Sequence, residues 1–201
     1  MNIVVREYSN SDWETVCDIH DRARPYEIRS FAPGASIEPM AEVAEEDGFF
    51  DGQQFVACVN QQVVGFVCIE NEELTWLYVS PDFHRQGIGR RLVEPVRPQL
   101  GRDGYVLTVL ENTAAVKFYE QMGFTICAVF PGAYQNYPCT CVRFALPSSR
   151  HRDRPPTPVK ESLLLSGFDD TDWGTAYRDP YNIWRWKRTG KSRPHEARHP
   201  C

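Results

Sequence analysis

Long hydrophobic runs are missing from this sequence of 201 residues, although 42% of the residues are hydrophobic and 24% are charged. A helix that spans a bilayer needs about 20 consecutive apolar residues, and no segment approaches that length. The stretch from Met1 to Arg6 also lacks the basic start and the apolar core of a secretion signal. We therefore expect neither a membrane span nor export.

Regularly spaced cysteines are missing as well. The seven cysteines are odd in number and irregularly spaced, and most of them lie among Val, Phe and Ile. Such cysteines are typical of small buried hydrophobic side chains in a reducing compartment. We expect no disulfide framework and a cytoplasmic location.

The charge is divided unevenly along the chain. Residues 1–146 carry 11 Lys and Arg against 20 Asp and Glu, a net charge of -9, whereas residues 147–201 carry 11 against 7, a net charge of +4. Seven of the 15 prolines lie in the last 55 residues, and several of them fall within 147–158. Such a segment cannot bury enough apolar surface to offset the cost of ordering it. The sequence therefore predicts a domain over 1–146, a Pro/Arg-rich linker over 147–158 and a basic, aromatic extension over 159–201.

Short segments of strand and helix character alternate in residues 1–146. The predicted strands are Ile3–Tyr8, Phe55–Val59, Val63–Glu70, Leu74–Val79, Tyr105–Leu110, Phe124–Phe130 and Cys139–Leu146. The predicted helices run from a capping box at Ser11–Glu14 to about Arg22, and over Glu38–Glu46, Gly87–Leu100 and Asn112–Met122, with a loop over Pro25–Pro39. Antiparallel strands followed by a βαβα order predict an α/β fold, with a mixed sheet and helices on its faces.

The segment from Glu73 to Leu92 is a strand that turns into a helix with two glycines at its start. Free amides at a helix N-terminus and the positive end of its dipole favour an anion. Gly87 and Gly89 leave room for a phosphate to approach the backbone, and positive charge is added by Arg85, Arg90 and Arg91. The same glycines are also compatible with a simple tight connection. The pattern is neither a P-loop nor a dinucleotide-binding fingerprint.

The segment from Val109 to Phe124 contains a strand end, a helix-capping Asn and an amphipathic helix that stops at Gly123. Together the two segments resemble the GCN5-related N-acetyltransferases (GNAT). In that family Gln/Arg-x-x-Gly-x-Gly/Ala follows a strand, and Asn followed by Phe-Tyr-Glu-x-x-Gly-Phe comes later. The resemblance covers roughly residues 2–146. It implies the family's mixed sheet with splayed central parallel strands, here followed by an irregular C-terminal tail.

The resemblance also implies a cleft between Leu74–Val79 and Tyr105–Leu110 that admits the pantetheine arm of acetyl-CoA. Carried over by position, the cofactor-binding residues are Leu77, Tyr78 and Val79 through their backbone, His84, Arg85, Gln86, Gly87, Ile88, Gly89 and Arg90 around the pyrophosphate, and Asn112 and Tyr119 near the pantetheine. Acetyl-CoA is the expected cosubstrate, and no metal is expected.

Two residues are predicted to act in catalysis. The resemblance implies that Tyr119 protonates the departing CoA thiolate, a role that suits a phenol with an ordinary pKa of about 10; the alternative is a core aromatic residue. Glu73 lies 14 residues before Gly87, an offset that resembles the one for the glutamate base of histone-type members; the alternative is a solvated acidic turn. An amide near Val79 is expected to hold the oxyanion.

Two positions depart from the family pattern. His84 stands where the family usually has Gln or Arg, so the imidazole either contacts a phosphate or caps the turn. Pro95 removes a hydrogen bond to the carbonyl of Arg91, and Pro98 follows it, so we expect this helix to kink or to end early.

The acceptor site implied by the resemblance consists of Arg24–Met40 and Phe130–Pro138. The acidic domain favours a cationic acceptor such as a primary amine. Tyr134 and Tyr137 are compatible with a pocket lining and equally with ordinary loop composition.

The extension holds three of the five tryptophans. Its composition favours docking on the domain or on a second subunit of a homodimer; a disordered tail and, least of all, a nucleic-acid contact are the alternatives.

We therefore predict an N-acetyltransferase that moves an acetyl group from acetyl-CoA to a primary amine by direct attack in a ternary complex. The alternatives are a non-catalytic CoA-binding or regulatory module, and an acetyltransferase whose tail binds a protein or nucleic-acid partner.

Overall fold

The computed structural model describes residues 1–135, 137–153, 173–178 and 184–188. Its strands are β1 (Ile3–Glu7), β2 (Gln53–Val59), β3 (Gln62–Glu70), β4 (Glu73–Val79), β5 (Tyr105–Val109), β6 (Thr125–Tyr134), β7 (Tyr137–Ala145), β8 (Trp173–Arg178) and β9 (Trp184–Arg188). Its α-helices are α1 (Trp13–Ile28), the single turn α2 (Met40–Val43), α3 (Ile88–Val96) and α4 (Thr113–Gln121).

The strands form one mixed sheet in the order β1-β2-β3-β4-β5-β7-β6-β9-β8. The first four strands are antiparallel neighbours, β4 and β5 are parallel, and β7 lies antiparallel between β5 and β6. The first seven strands thus confirm the predicted mixed sheet with a central parallel pair.

Hydrophobic clusters cover both faces of the sheet. On one face, Leu74 of β4 packs with Ile88 and Leu92 of α3 and with Tyr119 of α4. On the other face, Trp76 of β4 packs with residues of α1 and α2, among them Val16, Ile19 and Met40. Leu74 and Trp76 lie on opposite faces although they are two residues apart, because Thr75 between them is an extra residue relative to β3. The strand β4 therefore lies between two cores.

The helix α1 is longer than the sequence predicts. It continues past Arg22 through Pro25 to Ile28, in the region that the sequence assigns to a loop. Burial explains the difference, since Ala23, Arg24 and Ile28 are at most 7% exposed. This packing outweighs the helix-breaking tendency of proline.

The start of this helical region also differs from the prediction. A 3-10 turn over Asn10–Asp12 precedes α1, and the amide of Ser9 donates to Oδ2 of Asp12 at 2.9 Å. The capping box is therefore formed by Ser9 and Asp12 rather than by Ser11 and Glu14. Arg6 donates to both carboxylate oxygens of Asp12 at 2.7 Å, and this fixes the capping residue.

The last hairpin has longer strands than predicted. β6 reaches Tyr134 and β7 begins at Tyr137, with the register running from Thr125↔Ala145 to Tyr134↔Tyr137. The predicted loop over Phe130–Pro138 is therefore mostly strand. Cross-strand pairing satisfies the backbone groups of this arm.

The helix α3 ends early, as Pro95 predicts. It stops at Val96, and a 3-10 helix over Arg97–Leu100 follows. Its apolar side chains Ile88, Leu92, Val93 and Val96 are all buried. The N-terminal turn of α3 lies before the interruption and keeps its packing on the sheet.

The predicted linker begins as an ordered segment of the domain. Ser149 is buried, and its Oγ donates to the carbonyl of Asp103 at 3.2 Å. Arg150 forms an ion pair with Glu72 at 2.5 Å, and the ring of His151 lies 4.3 Å from that of Tyr105. Residues 147–153 therefore pack against the domain.

Beyond that segment, two short strands lie in the tail that the sequence predicts to be irregular. β9 pairs in parallel with β6 at Ala128↔Trp184 and Val129↔Arg185, and β8 pairs antiparallel with β9. The rest of the linker and of the extension lies outside the described residues. Within the part of the chain that the structure describes, no helix combines the length and the apolarity that crossing a membrane requires.

Candidate active site

The central parallel strands separate shortly after they meet. β4 and β5 pair only at Glu73↔Tyr105 and Leu74↔Val106, although β4 continues to Val79 and β5 to Val109. Among the described residues, no strand fills the space between the rest of β4 and the rest of β5. This edge of β4 thus offers backbone donors and acceptors to an extended ligand.

A bulge in β4 explains why the strands separate. The register with β3 runs from Cys68↔Trp76 to Ile69↔Leu74, so Thr75 is an extra residue on β4. A bulge bends its strand and increases the local twist. The bend falls directly after the last pair with β5, and the strands diverge from there. The sequence pattern of β4 does not predict this bulge.

The turn between β4 and α3 has the geometry of an anion site. Gly87 is the N-cap of α3 and has a left-handed φ of 83°, and Arg85 has a φ of 62°. The residues from His84 to Gly87 are exposed. Because the first amides of a helix have no acceptor within it, they and the helix dipole favour a negative charge at this turn.

Gly89 lies one residue inside α3, next to α4. A Cβ at this position would come within 3.3 Å of the Phe118 ring. The small residue therefore lets the first turn of α3 lie close to α4, which begins on the far side of the cleft.

The side chains of His84 and Asn112 fix the ends of elements beside the cleft. Nε2 of His84 donates to the carbonyl of Val79 at 2.9 Å, so the imidazole caps the end of β4. Oδ1 of Asn112 accepts from the amide of Ala115 at 3.2 Å and caps α4. These contacts hold the two walls of the cleft at its wide end.

Tyr119 is 7% exposed and lies on α4 among aromatic rings. Its ring centroid is 5.9 Å from that of Phe144 and 6.1 Å from that of Phe124. Burial, and after it the negative charge of Glu27, raises the pKa of the phenol. The hydroxyl therefore keeps its proton at neutral pH.

Glu73 lies at the opposite, closed end of the cleft, where β4 and β5 still pair. Its Oε2 accepts a hydrogen bond from the hydroxyl of Tyr105 at 2.6 Å. Burial raises the pKa of Glu73, and the hydrogen bond from Tyr105 opposes that shift. The structure thus places Glu73 and Tyr119 on different elements that border the separated strands.

The structure also shows a polar cluster on α1 that the sequence does not predict. Nη1 of Arg24 donates to Oε2 of Glu27 at 2.6 Å and to the hydroxyl of Tyr78 at 3.0 Å, and that hydroxyl donates to the same Oε2 at 2.8 Å. The i, i+3 spacing of Arg24 and Glu27 would have indicated the ion pair. Because the predicted helix ends near Arg22, Arg24 and Glu27 fall outside it, and the sequence does not predict the pair.

The two segments expected to form the acceptor site do meet. The hydroxyl of Tyr134 donates to the carbonyl of Ser36 at 3.1 Å, and its ring lies 6.0 Å from that of Phe31. The side chain of Gln135 also donates to Ser36. The loop after α1 therefore rests on the β6–β7 hairpin, on the same face of the sheet as Trp76.

Side chains that could ligate a metal do not cluster in the described part of this site. Among the residues that the structure describes, no group of three or more His, Cys, Asp or Glu side chains is arranged to hold a metal ion. Five cysteines are buried hydrophobic residues, as the sequence predicts: Cys58, Cys68, Cys127, Cys139 and Cys141.

Comparison with known proteins identifies the fold as that of an acyltransferase class. The sequence model of the acetyltransferase (GNAT) domain matches residues 50–126. The peptidyl-lysine N-acetyltransferase YjaB of Salmonella typhimurium (strain LT2) is 39% identical over 130 residues, which are 63% of this chain and 86% of that protein. The chain belongs to the GNAT family and is an acetyl-CoA-dependent N-acetyltransferase.

Solved structures agree with this assignment at the level of the fold. The ribosomal-protein-S18-alanine N-acetyltransferase from Escherichia coli has a TM-score of 0.57 at 23% identity, over 74% of this chain and 95% of that chain. The PaiA N-acetyltransferase from Thermoplasma acidophilum, solved in complex with coenzyme A, has a TM-score of 0.53 at 17% identity, over 71% and 98% of the two chains.

Proposed function

We propose that this enzyme transfers the acetyl group of acetyl-CoA to a primary amine by direct attack in a ternary complex. One observation carries the proposal: β4 and β5 separate after two paired positions, and the gap opens onto the exposed N-terminal turn of α3. An extended chain that ends in a pyrophosphate has the shape and charge to occupy both places.

The residues around the gap fit acetyl-CoA. In this proposal the backbone of Leu77, Tyr78 and Val79 pairs with the pantetheine arm, and the pyrophosphate lies on the turn formed by His84, Arg85, Gln86, Gly87, Ile88, Gly89 and Arg90. Asn112 and Tyr119 border the arm from α4. The exposed arginines of the turn supply positive charge beside helix-end amides.

The thiolate that leaves the tetrahedral intermediate needs a proton, and Tyr119 is the proposed donor. Burial raises the pKa of Tyr119, so the phenol arrives protonated. An amide near Val79 is the proposed partner of the oxyanion, because β4 has open backbone groups there.

The amine must lose a proton before it attacks, and two carboxylates border the gap from opposite ends. The assignment of this role to Glu73 is a prediction from the sequence. In its favour, Glu73 is partly buried and its pKa lies above the ordinary value of 4.5, which suits a base that works near neutral pH. Glu27 is the second carboxylate.

A lysine side chain on a peptide is the first acceptor to test. The relative YjaB from Salmonella typhimurium is named for peptidyl-lysine acetylation, and the acidic domain attracts cations. A free N-terminal α-amine and a polyamine complete the panel.

The test measures thiol release from acetyl-CoA with each amine, in the wild-type protein and in Tyr119→Phe. We expect turnover with at least one amine. Loss of the hydroxyl should lower kcat by about 100-fold or more. Acetyl-CoA binding should change little, because the ring still packs against Phe124 and Phe144. Tyr8→Phe, on the far side of the sheet, is the matched control and should keep the wild-type rate.

Two results would contradict the proposal. Binding of acetyl-CoA without turnover on any amine would favour the non-catalytic module. An unchanged kcat in Tyr119→Phe would contradict only the role of Tyr119 as the acid, and the proposed acetyl transfer would stand.

A further inference from the structure

Glu27 is held in one orientation by two neighbours that bind the same oxygen. Arg24 and Tyr78 both donate to its Oε2, and the side chain of Arg24 is only 6% exposed, whereas that of Glu27 is 19% exposed. Within the described residues, Oε1 of Glu27 makes no hydrogen bond. The carboxylate therefore presents one unused oxygen from a fixed position.

That position lies at the open part of the cleft. Tyr78, the partner of Glu27 on β4, is four residues beyond Leu74, the last residue of β4 that pairs with β5. Glu73 is five residues from Tyr78 along the same strand, about 16 Å at the usual rise of a strand. Glu27 thus lies over the separated strands, and Glu73 lies where they are joined.

Glu27 and the proposed acid Tyr119 belong to opposite faces of the sheet. Tyr119 belongs to the cluster under α3 and α4, and Tyr78 belongs to the cluster under α1. The negative charge of Glu27 nevertheless acts on the phenol of Tyr119. Among the described residues, no strand lies between β4 and β5 at the level of Tyr78.

We propose that Glu27 is the catalytic carboxylate that binds the ammonium group of the acceptor through Oε1 and takes its proton. This inference rests on the proposed acetyltransferase function and assigns the acceptor side of the same cleft. It also places the acceptor on the α1 face, where the loop after α1 meets the β6–β7 hairpin.

Glu27 and Tyr119 together move the protons of the proposed transfer. The ammonium gives one proton to Glu27, which later releases it to solvent. The nitrogen lone pair then forms the C–N bond with the acetyl carbon, and the C–S bond breaks with its electron pair on sulfur. The thiolate takes the proton of Tyr119, and the acetylated nitrogen loses its second proton to the Tyr119 oxygen.

Arg24 and Tyr78 are positioning residues in this scheme. Their hydrogen bonds occupy Oε2 and leave Oε1 for the amine. The titratable groups that interact with Glu27 are His20 and Arg24 on α1, Tyr78 on β4, Tyr119 on α4 and Tyr134 on β6.

The experiment compares Glu27→Gln, Glu27→Asp and Glu14→Gln in the full chain, with the best amine of the panel. Gln keeps an oxygen for Arg24 and Tyr78 but cannot take the proton. Asp keeps the charge and so protects the fold, but it withdraws the carboxylate by one methylene. Glu14 is exposed on the same helix, and its change to Gln removes the same charge as a matched control.

We expect kcat/KM for the amine to fall by about 100-fold or more in Glu27→Gln and by about tenfold in Glu27→Asp, while Glu14→Gln stays at the wild-type value. The dissociation constant for acetyl-CoA, measured by calorimetry, should stay within about twofold in all three. In Glu27→Gln the rate should recover as the pH rises toward the pKa of the free amine, because the amine then arrives neutral.

Two outcomes overturn the inference in different ways. If the parent enzyme is active and both Glu27 variants keep the wild-type kcat/KM, Glu27 has no role in catalysis. The proposed function then still stands. Failure of the parent enzyme to acetylate any amine overturns the proposed function, and the role of Glu27 falls with it.

Discussion

Three ionisable side chains near the separated strands lie in different surroundings. Tyr119 lies among apolar rings, so burial keeps its phenol protonated. Glu27 forms an ion pair with the guanidinium of Arg24. Glu73 is half-buried and hydrogen-bonded to Tyr105, and burial raises its pKa. At the scale of single residues, the surroundings therefore provide one protonated phenol and two carboxylates with different partners.

Substitution of Glu73 by Gln distinguishes between these carboxylates. We expect less than about a tenfold loss of kcat/KM, because Glu73 lies at the closed end of the cleft. A loss of about 100-fold that is largest at low pH would instead make Glu73 the base, as the sequence predicts, and would contradict the role of Glu27.

The same variant also has an expected effect on stability. A carboxyl group whose pKa is raised on folding stabilises the protein below its unfolded value and loses that contribution as the pH rises through its folded pKa. The wild type should therefore lose stability relative to Glu73→Gln as the pH rises above about 4.5. Thermal unfolding at pH 4 and pH 7 measures the difference, and parallel curves for the two proteins would contradict it.

At the scale of elements, one unit of strand, turn and helix shapes the candidate site. The bulge at Thr75 bends β4 away from β5, and the left-handed Gly87 then starts α3 with its amides exposed. The early end of α3 at Val96 does not disturb this unit, since the turn before Gly87 lies at the other end of the helix.

Gly87→Ala tests the turn. A Cβ at Gly87 meets no atom within 4 Å, so the substitution strains only the left-handed backbone. We expect it to lower the free energy of unfolding by about 1 to 2 kcal/mol and to weaken acetyl-CoA binding by about tenfold, because the strained turn reorients its amides.

The matched control for this variant is Gly101→Ala. Gly101 also has a positive φ, 64°, and no atom within 4 Å of an added Cβ, but it lies after the 3-10 helix, away from the turn. It should lose stability and keep the wild-type affinity for acetyl-CoA in calorimetry. Equal affinities in both variants would show that the geometry of Gly87 has no part in binding.

At the scale of the whole molecule, the short segment directly after β7 packs against the domain. Residues 147–153 bury Ser149 and bring Arg150 and His151 against Glu72 and Tyr105. We propose that the stable catalytic unit ends near Asp153 and that the extension begins after it.

Truncation tests this boundary. A chain that ends at Leu146 should melt about 3 to 6 °C below one that ends at Asp153, because it loses the buried serine contact and uncovers Tyr105. Thermal unfolding measures the difference, and the full chain, assayed for activity and oligomeric state beside both, reports on the extension. Glu72→Gln in the chain that ends at Asp153 removes only the ion pair and should cost less than half of the difference. Equal melting temperatures for the two truncated chains would place the boundary at Leu146, as the sequence predicts.

The sequence by itself determined the order of the elements and the positions of the two motifs. Gly87 at a helix start, Asn112 as a cap and Pro95 near a helix end are local signals, and the structure agrees with all three. The βαβ order also predicts the parallel pair of β4 and β5. These features depend on residues that are close in sequence.

The tertiary structure alone decided where α1 ends, where β4 bends and which side chains meet across the cleft. Burial of Ala23 and Ile28 carries α1 through Pro25, and only then does Glu27 reach Tyr78, 51 residues away in the sequence. The bulge depends on the register with β3. Contacts between distant segments are fixed by packing, and no local pattern encodes them.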